Sequence, residues 1–168
     1  MPKTAPNPAA GFATAAQRDR FHGAMGHDAW RWLGAHPHPD GGFRFAVWAP
    51  RAMEVQVKGE FSGWTGVPLT AQGPCFYGHV AAAEPGQLYK LAVRDQGGVW
   101  CDRADPFAFA AELRPSTASR LVGDSAYVWR DAAWLQNRDA NAELHNTPMS
   151  IYEVHLGSWL RHTDGRPW

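Results

Sequence analysis

Two stretches of the chain repeat with a period of two, as in a β-strand that buries one face, and a third stretch is a clear strand candidate ended by a turn. They read FRFAVWAP at 43–50, MEVQVKGEF at 53–61 and LYKLAVRD at 88–95. The apolar sets of the first two are Phe43, Phe45 and Val47, and Met53, Val55 and Val57. No helical periodicity of comparable length competes with this pattern, so the chain is predicted to be mainly β.

Turn signals separate these strands at short intervals. DGG at 40–42, FSGWTG at 61–66, AEPGQ at 83–87 and QGG at 96–98 combine Gly, Pro and Asp, and CFYGHV at 75–80 is a further strand candidate. Short strands spaced by such turns are typical of an immunoglobulin-like antiparallel β-sandwich. We predict that this sandwich occupies residues 28–118.

The regions on either side of the predicted sandwich differ from it in amino-acid composition. Residues 1–27 are rich in Ala, Pro, Asn and Gly, so we predict a flexible tail with a short helical turn near Thr14–Phe21. Residues 119–150 are predicted to be a connector, with a short helix after Asp131. IYEVHLGSW, within 151–168, has β-branched and aromatic residues and few charges, which suits the first strand of a parallel (β/α)8 barrel, buried on both faces.

Charge and cysteine content exclude several classes of partner. Lys plus Arg and Asp plus Glu both number 16, so no concentrated basic face for nucleic acid or an anionic membrane is expected. No apolar run suits a signal peptide or a membrane span. Cys75 and Cys101 are too few for a disulfide framework, so we predict reduced thiols and a cytoplasmic location.

Candidate catalytic and metal residues have simpler structural explanations. On a strand, Glu153 and His155 would face the same way, but they lack the second, opposed carboxylate that two-carboxylate chemistry needs. The histidines at 22, 27, 36 and 38 lack ligand spacing, so no metal or cofactor is expected. Asp95, Asp102 and Asp105 lie in turn-forming text, where Asp usually caps its own backbone.

Tryptophan is the unusual component, with 9 residues in the chain. Trp64 lies in a Gly-flanked loop, Trp100 follows a turn, and Lys90 stands on the strand between them. Two indoles beside an amine can form a platform for sugar rings. Stacking buries the apolar face of each sugar ring, while the amine forms a hydrogen bond with a sugar hydroxyl. The alternative is that one or both indoles close the ends of the sandwich, and the sequence does not separate the two interpretations.

Several of these segments together resemble the amino-terminal part of bacterial 1,4-α-glucan (glycogen) branching enzymes. The similarity runs from about Leu33 to the end through FRFAVWAPRAMEVQVKGEFSGW, GQLYKLAVRD, RADPFAF, LRPSTASRL and SIYEVHLGSWLRHTDG. It implies a carbohydrate-binding module of the family-48 type ahead of an α-amylase-superfamily barrel. It also implies cleavage of an α-1,4 linkage and transfer of the cut chain to a 6-hydroxyl, without a required metal.

The sandwich is also similar to the glycogen-binding module of the AMP-activated kinase β subunit. That module's pattern is an aromatic in an FNxW loop, a YK strand and a Trp after the next turn. These positions fall on Trp64, Lys90 and Trp100, whereas Ser62 stands where the pattern has Asn. The resemblance therefore implies an α-glucan partner, glycogen or malto-oligosaccharides, at these three residues.

The length of the chain limits what it is expected to do. A (β/α)8 barrel needs about 250 residues, whereas this sequence has 168, so only its first barrel strand is expected. The family's nucleophile and acid/base lie on later strands, so no catalytic residue is assigned and these residues alone are expected to be inactive. If the protein is a branching enzyme, the sandwich is expected to pack on the catalytic barrel of the same protein. The alternatives are a stand-alone glycogen-binding module and a relative of the trehalohydrolases or debranching enzymes.

Overall fold

The fold is described from a computed structural model. It covers residues 12–125, 127–140, 146, 148 and 150–166. These form two compact units, one within 1–125 and the other within 126–168. None of the helices among these residues has the length and apolar character needed to cross a membrane.

The first unit is an antiparallel β-sandwich, as the sequence predicts. Its strands are β1 Gly34–Pro37, β2 Phe43–Trp48, β3 Glu54–Gly59, β4 Val67–Pro68, β5 Thr70–Gln72, β6 Cys75–Val80, β7 Leu88–Arg94, β8 Trp100–Arg103, β9 Ala110–Ala111 and β10 Ser119–Arg120. Sheet one has the order β1-β2-β6-β5, and sheet two has the order β4-β3-β7-β10-β9 with β8 also paired to β7. A helix, α1 (Ala15–His22), precedes them, and short 3-10 turns occupy Ala29–Arg31 and Glu60–Ser62.

The predicted alternation explains how the two sheets enclose the core. Phe43, Phe45 and Val47 of β2 are buried against Val55 and Val57 of β3, within one cluster that also contains Tyr89 and Leu91 of β7. Met53 is the exception, because β3 begins one residue later and the Met53 side chain is exposed. Its backbone N–H instead donates to the Arg94 carbonyl (2.8 Å).

A second apolar cluster covers the side of sheet one that points away from the main core. Trp32 and Tyr77 are buried there, and Phe12 and Phe21 pack against them. The flexible tail predicted at 1–27 is therefore packed against the sandwich from Phe12 onward, because the rings of Phe12 and Phe21 contact this cluster. Residues 1–11 lie outside the described part. The predicted helical turn coincides with α1, which Thr14 and Gln17 cap reciprocally.

A buried polar network joins β7 to the segment that leads into β10. The Tyr89 hydroxyl donates to Asp105 Oδ2 (2.7 Å), and the Asp105 N–H donates to Ser119 Oγ (2.9 Å). The Phe107 N–H donates to Asp105 Oδ1 (2.9 Å), which is the local backbone capping expected of this residue. Ser119 lies on β10 and Leu121 is part of the core, so the sandwich packing continues past residue 118.

Burial shifts the ionisation of this network. Loss of solvent raises the pKa of Asp105, although hydrogen bonds from Tyr89 and Phe107 oppose the shift. Burial also raises the pKa of Tyr89, with a further contribution from the Asp105 charge. The charged form of Asp105 is therefore disfavoured in the folded chain.

The described residues of the second unit include the helices α2 (Ala132–Ala140) and α3 (Leu156–Trp159). The helix predicted after Asp131 is α2. The strand predicted at 151–155 is not formed: these residues are irregular, and Ile151 is 82% exposed. A strand requires hydrogen bonds from a neighbour, and the described residues of this unit contain no partner strand. Glu153 and His155 are both exposed, and His155 Nδ1 lies 2.9 Å from Ser158 Oγ.

Replacement of a core side chain tests the sandwich. Leu91→Ala removes buried methyl groups from β7, so the free energy of unfolding should fall by about 2–5 kcal/mol. Urea unfolding followed by tryptophan fluorescence measures the change. Leu113→Ala is the matched control, because Leu113 is exposed, and its effect should stay within about 0.5 kcal/mol. Equal losses in the two variants would contradict the described core.

Asp105→Asn tests the buried carboxyl. Because the folded-state pKa of Asp105 is raised, the folded chain binds this proton more tightly than the unfolded chain. The stabilisation by that proton is complete below about pH 4 and is lost as the pH rises through the folded-state pKa. The unfolding free energy of the wild type should therefore decline relative to that of Asp105→Asn as the pH rises above about 4. Urea titrations at a series of pH values above about 4 measure both free energies, and a wild type that gains stability relative to Asp105→Asn as the pH rises would show that the folded-state pKa is lowered instead.

Candidate functional site

The outer face of sheet two carries a row of polar and aromatic side chains. Since Val55 and Val57 of β3 point into the core, Gln56 and Lys58 point outward. The strand registers align Lys90 beside Lys58, Trp100 beside Arg94 and Asp102 beside Ala92. This surface is called the outer face here, and its members are Gln56, Lys58, Lys90, Arg94, Trp100 and Asp102.

Two ion pairs neutralise most of the charge on the outer face. Lys58 Nζ lies 2.6 Å from Asp102 Oδ2, a pair that joins the strands on either side of β7 across the small Ala92 side chain. Arg94 Nη1 lies 2.5 Å from Glu54 Oε1. The Lys90 ammonium, in contrast, has no ion-pair partner among the residues that the structure describes.

Trp64 is held at the rim of the outer face by a tight loop. Its N–H donates to the Gly59 carbonyl (2.8 Å) at the end of β3. The Ser62 hydroxyl accepts from the Gly59 N–H (3.3 Å) and donates to the Thr65 carbonyl (2.7 Å). Gly66 lies so close to the Gln56 side chain that a Cβ there would collide with it. These contacts fix the loop against the outward side of β3.

The backbone of Trp64 adopts a conformation that its side chain does not favour. Its φ angle is 63°, in the left-handed region where a bulky residue is strained. The hydrogen bonds around Ser62 and Gly59 hold it there. The indole stays 42% exposed, and Trp64 belongs to neither core cluster of the described residues.

Trp100 lies at the other end of the outer face. It is the first residue of β8, directly opposite Arg94, and its side chain is 41% exposed. The two indoles are attached near Tyr89 and Arg94 of β7, five residues apart, which is about 17 Å at ~3.4 Å per residue. Attachment points this far apart favour contacts of the two indoles with different sugar rings of one chain over stacking on a single ring.

The sequence analysis placed Asp102 incorrectly and missed the burial of Asp105. Asp102 is not a turn residue, because it lies within β8 and its carboxylate pairs with Lys58. Asp105 does cap its own backbone, but it is also buried and accepts the Tyr89 hydroxyl. Cross-strand register decides both placements, and no local sequence signal reports it. Asp95 matches its expectation, since its Oδ1 accepts the Val99 N–H (2.9 Å) within the β7–β8 turn.

The histidines have other roles among the described residues. His36 Nε2 donates to the Leu33 carbonyl (2.9 Å), and burial lowers the pKa of His36. The rings of His38 and His79 lie close together, with centroids 4.2 Å apart and planes tilted by 31°. Within the described part of the chain, no three His, Cys, Asp or Glu side chains are placed to hold a metal ion.

Comparison with known families and proteins gives a consistent result. Residues 32–108 match the family "Carbohydrate-binding module 48 (Isoamylase N-terminal domain)". The 1,4-alpha-glucan branching enzyme GlgB of Deinococcus radiodurans is 45% identical over 139 residues, 79% of this chain and 20% of that protein. The enzyme of the same name from Rhodopirellula baltica is 48% identical over 124 residues, 71% of this chain and 17% of that protein.

One solved structure agrees with the fold. A candidate alpha amylase from Salmonella typhimurium superimposes with a TM-score of 0.50 and 24% identity, over 61% of this chain and 16% of that one. The present chain spans about one fifth of the length of the branching enzymes that it matches. Residues 32–108 therefore match the model of carbohydrate-binding module 48, and the chain is similar to a segment of the 1,4-alpha-glucan branching enzymes named above.

Proposed function

We propose that the module binds α-glucan on the outer face of sheet two, through Trp64, Lys90 and Trp100. The observation that carries this proposal is that Trp64 and Trp100 are both exposed while Lys90, on β7, has no ion-pair partner among the described residues. The family match supports a carbohydrate ligand, and the names of the relatives support an α-1,4-glucan.

The physical chemistry of the outer face suits a neutral, polyhydroxylated chain. An indole buries the apolar face of a sugar ring, and the ammonium of Lys90 has three N–H donors for hydroxyl oxygens. Lys58 and Arg94 are already paired with carboxylates, so a neutral ligand leaves little charge without compensation. The separation of the indoles favours a chain of several glucose units over a single sugar.

We further propose that the whole protein is a branching enzyme of glycogen synthesis in the cytoplasm. Such an enzyme cuts an α-1,4-linked chain and transfers it to a 6-hydroxyl. Identity of 45% over 139 residues supports this assignment, and the unpaired Cys75 and Cys101 agree with a reducing compartment. No residue of this chain is assigned to the chemical step, so the module's part is to hold glucan for a catalytic domain.

The second unit supports a place beside that catalytic domain. Residues 119–150 are proposed to connect the sandwich to a barrel that begins within 151–168. Ile151, Tyr152 and Trp159 are exposed among the described residues, and apolar side chains of this size are usually buried against a partner surface. We propose that packing against the rest of a barrel buries them.

Removal of either indole tests the outer face. Trp64→Ala and Trp100→Ala should each weaken co-sedimentation of the chain with glycogen by about three- to tenfold, because each loses a stacking surface. Trp30→Ala is the matched control, since Trp30 is 51% exposed and lies in the Ala29–Arg31 turn, away from sheet two. Urea unfolding shows whether each variant is folded. Unchanged binding by two folded variants would refute the placement.

Ligand length provides an independent test. Because the two indoles contact different rings, maltoheptaose should bind at least about tenfold more tightly than maltose. The gain should largely disappear in Trp64→Ala and in Trp100→Ala, each of which leaves one stacking position. Isothermal titration calorimetry with both sugars measures the ratio. If the ratio is the same in the wild type and both variants, the two indoles do not act on one chain.

A further inference from the structure

A second concave surface lies at one end of the sandwich, between the β2–β3 turn and the β7–β8 turn. It has a volume of about 520 Å³, within the roughly 300–1,000 Å³ typical of small-molecule sites. Its apolar walls are Trp48, Pro50, Ala52 and Val93, and its polar side chains are Arg51 and Asp95. This surface is called the Trp48 groove here.

Backbone hydrogen bonds hold both walls of the Trp48 groove. In the β2–β3 turn, the Ala52 N–H donates to the Ala49 carbonyl (3.0 Å), and the Ala49 N–H donates to the Pro74 carbonyl (2.9 Å). In the β7–β8 turn, the Asp95 N–H donates to the Val99 carbonyl (3.0 Å). A ligand therefore meets a surface that is already formed, which lowers the ordering entropy lost on binding.

Trp48 supplies a fixed aromatic surface to the groove. The ring of Phe21 contacts the Trp48 ring edge-on, with centroids 5.6 Å apart at 90°. This contact positions the indole, yet the Trp48 side chain remains 47% exposed. The sequence analysis singled out Trp64 and Trp100 and did not identify Trp48, which follows the inward-facing Val47 at the end of β2.

The two polar side chains of the groove retain unused hydrogen-bonding capacity. Arg51 has no hydrogen bond or ion pair with any described residue. Asp95 Oδ1 accepts the Val99 N–H, whereas Asp95 Oδ2 has no partner in the described part of the chain. A guanidinium and a carboxylate on one groove offer both donors and acceptors at low net charge. Neighbouring sugar hydroxyls can use both, because each is a donor and an acceptor.

We propose that the Trp48 groove is a second saccharide site, which binds a glucose unit of an α-glucan separately from the outer face. The sugar stacks on Trp48, donates to Asp95 and accepts from Arg51. The choice of glucose rests on the proposed function, whereas the site itself rests on the groove. An apolar peptide segment suits the groove less well, since it would cover Arg51 and Asp95 without pairing them.

The test is an NMR titration of the 168-residue chain with maltotriose. The indole N–H signals of Trp48, Trp64 and Trp100 are assigned from single Trp→Phe variants. The Trp48 signal and the amides of 95–99 should shift to saturation, and they should do so as well in the Trp64→Ala/Trp100→Ala double variant. This persistence would separate the groove from the outer face.

Two variants test the polar contacts of the groove. Arg51→Ala and Asp95→Asn should each raise the Kd measured at the Trp48 signal by about two- to tenfold, the range for one lost hydrogen bond. Asn keeps an oxygen for the Val99 N–H, so the β7–β8 turn is preserved. Asp124→Asn is the matched control, since Asp124 is exposed and does not line the groove, and it should leave the Kd unchanged.

The outcomes distinguish this proposal from the proposed function. A Trp48 shift without shifts of Trp64 and Trp100 would support the groove and refute the outer face. The reverse pattern would overturn the groove alone, and no shift at any indole would overturn both. A Trp48 shift that follows protein concentration instead of sugar would identify a second copy of the chain as the occupant. A Kd that neither Arg51→Ala nor Asp95→Asn changes would also contradict the site.

Discussion

Strand β7 faces the apolar core with one side and solvent with the other, and the rest of the sandwich depends on its register. Its side chains alternate, so Tyr89 and Leu91 complete the core while Lys90 and Arg94 point to solvent. Its two edges pair with β3 on one side and with β8 and β10 on the other. A shift of one residue in this register would bury Lys90 and expose Leu91, so the core and the proposed glucan surface require the same alignment.

Buried hydrogen bonds around Asp105 stabilise that alignment on the core side of the sheet. The Tyr89 hydroxyl on β7 donates to the Asp105 carboxylate, and the Asp105 N–H donates to the Ser119 hydroxyl on β10. These buried hydrogen bonds therefore connect three separate segments. Buried polar groups of this kind are costly when a partner is lost, which makes alternative registers unfavourable. The outer face is thus supported by polar contacts that lie on the opposite side of the same sheet.

The two proposed saccharide sites lie on either side of the β7–β8 turn. Asp95 faces the Trp48 groove, and Trp100 follows the turn onto the outer face. A module with two sites of this kind would gain avidity for a branched polymer, because one bound chain raises the local concentration of its neighbours. In a branching enzyme, this would keep donor and acceptor chains near the catalytic domain.

Local sequence determined the class of the fold and the strands that carry it. Alternation at 43–50 and 53–61 predicts β2 and β3, because a period of two is the repeat of a β-strand, and the strand candidate at 88–95 is β7. The exposed positions of Trp64 and Trp100 agree with their Gly-rich surroundings, although their role as a glucan platform remains a proposal. The strand predicted at 151–155 did not form, since a strand depends on a partner that local sequence cannot supply.

Only the tertiary structure decided which distant residues meet. The pairing of Lys58 with Asp102, the burial of Asp105 beneath Tyr89 and the placement of Arg51 and Asp95 on one groove all join residues far apart in sequence. Cross-strand register and the packing of two sheets produce these contacts, and neither is encoded in the residues on each side of a given position. The sequence by itself therefore determined a β-sandwich with exposed indoles, and the three-dimensional packing determined the surfaces on which these indoles lie.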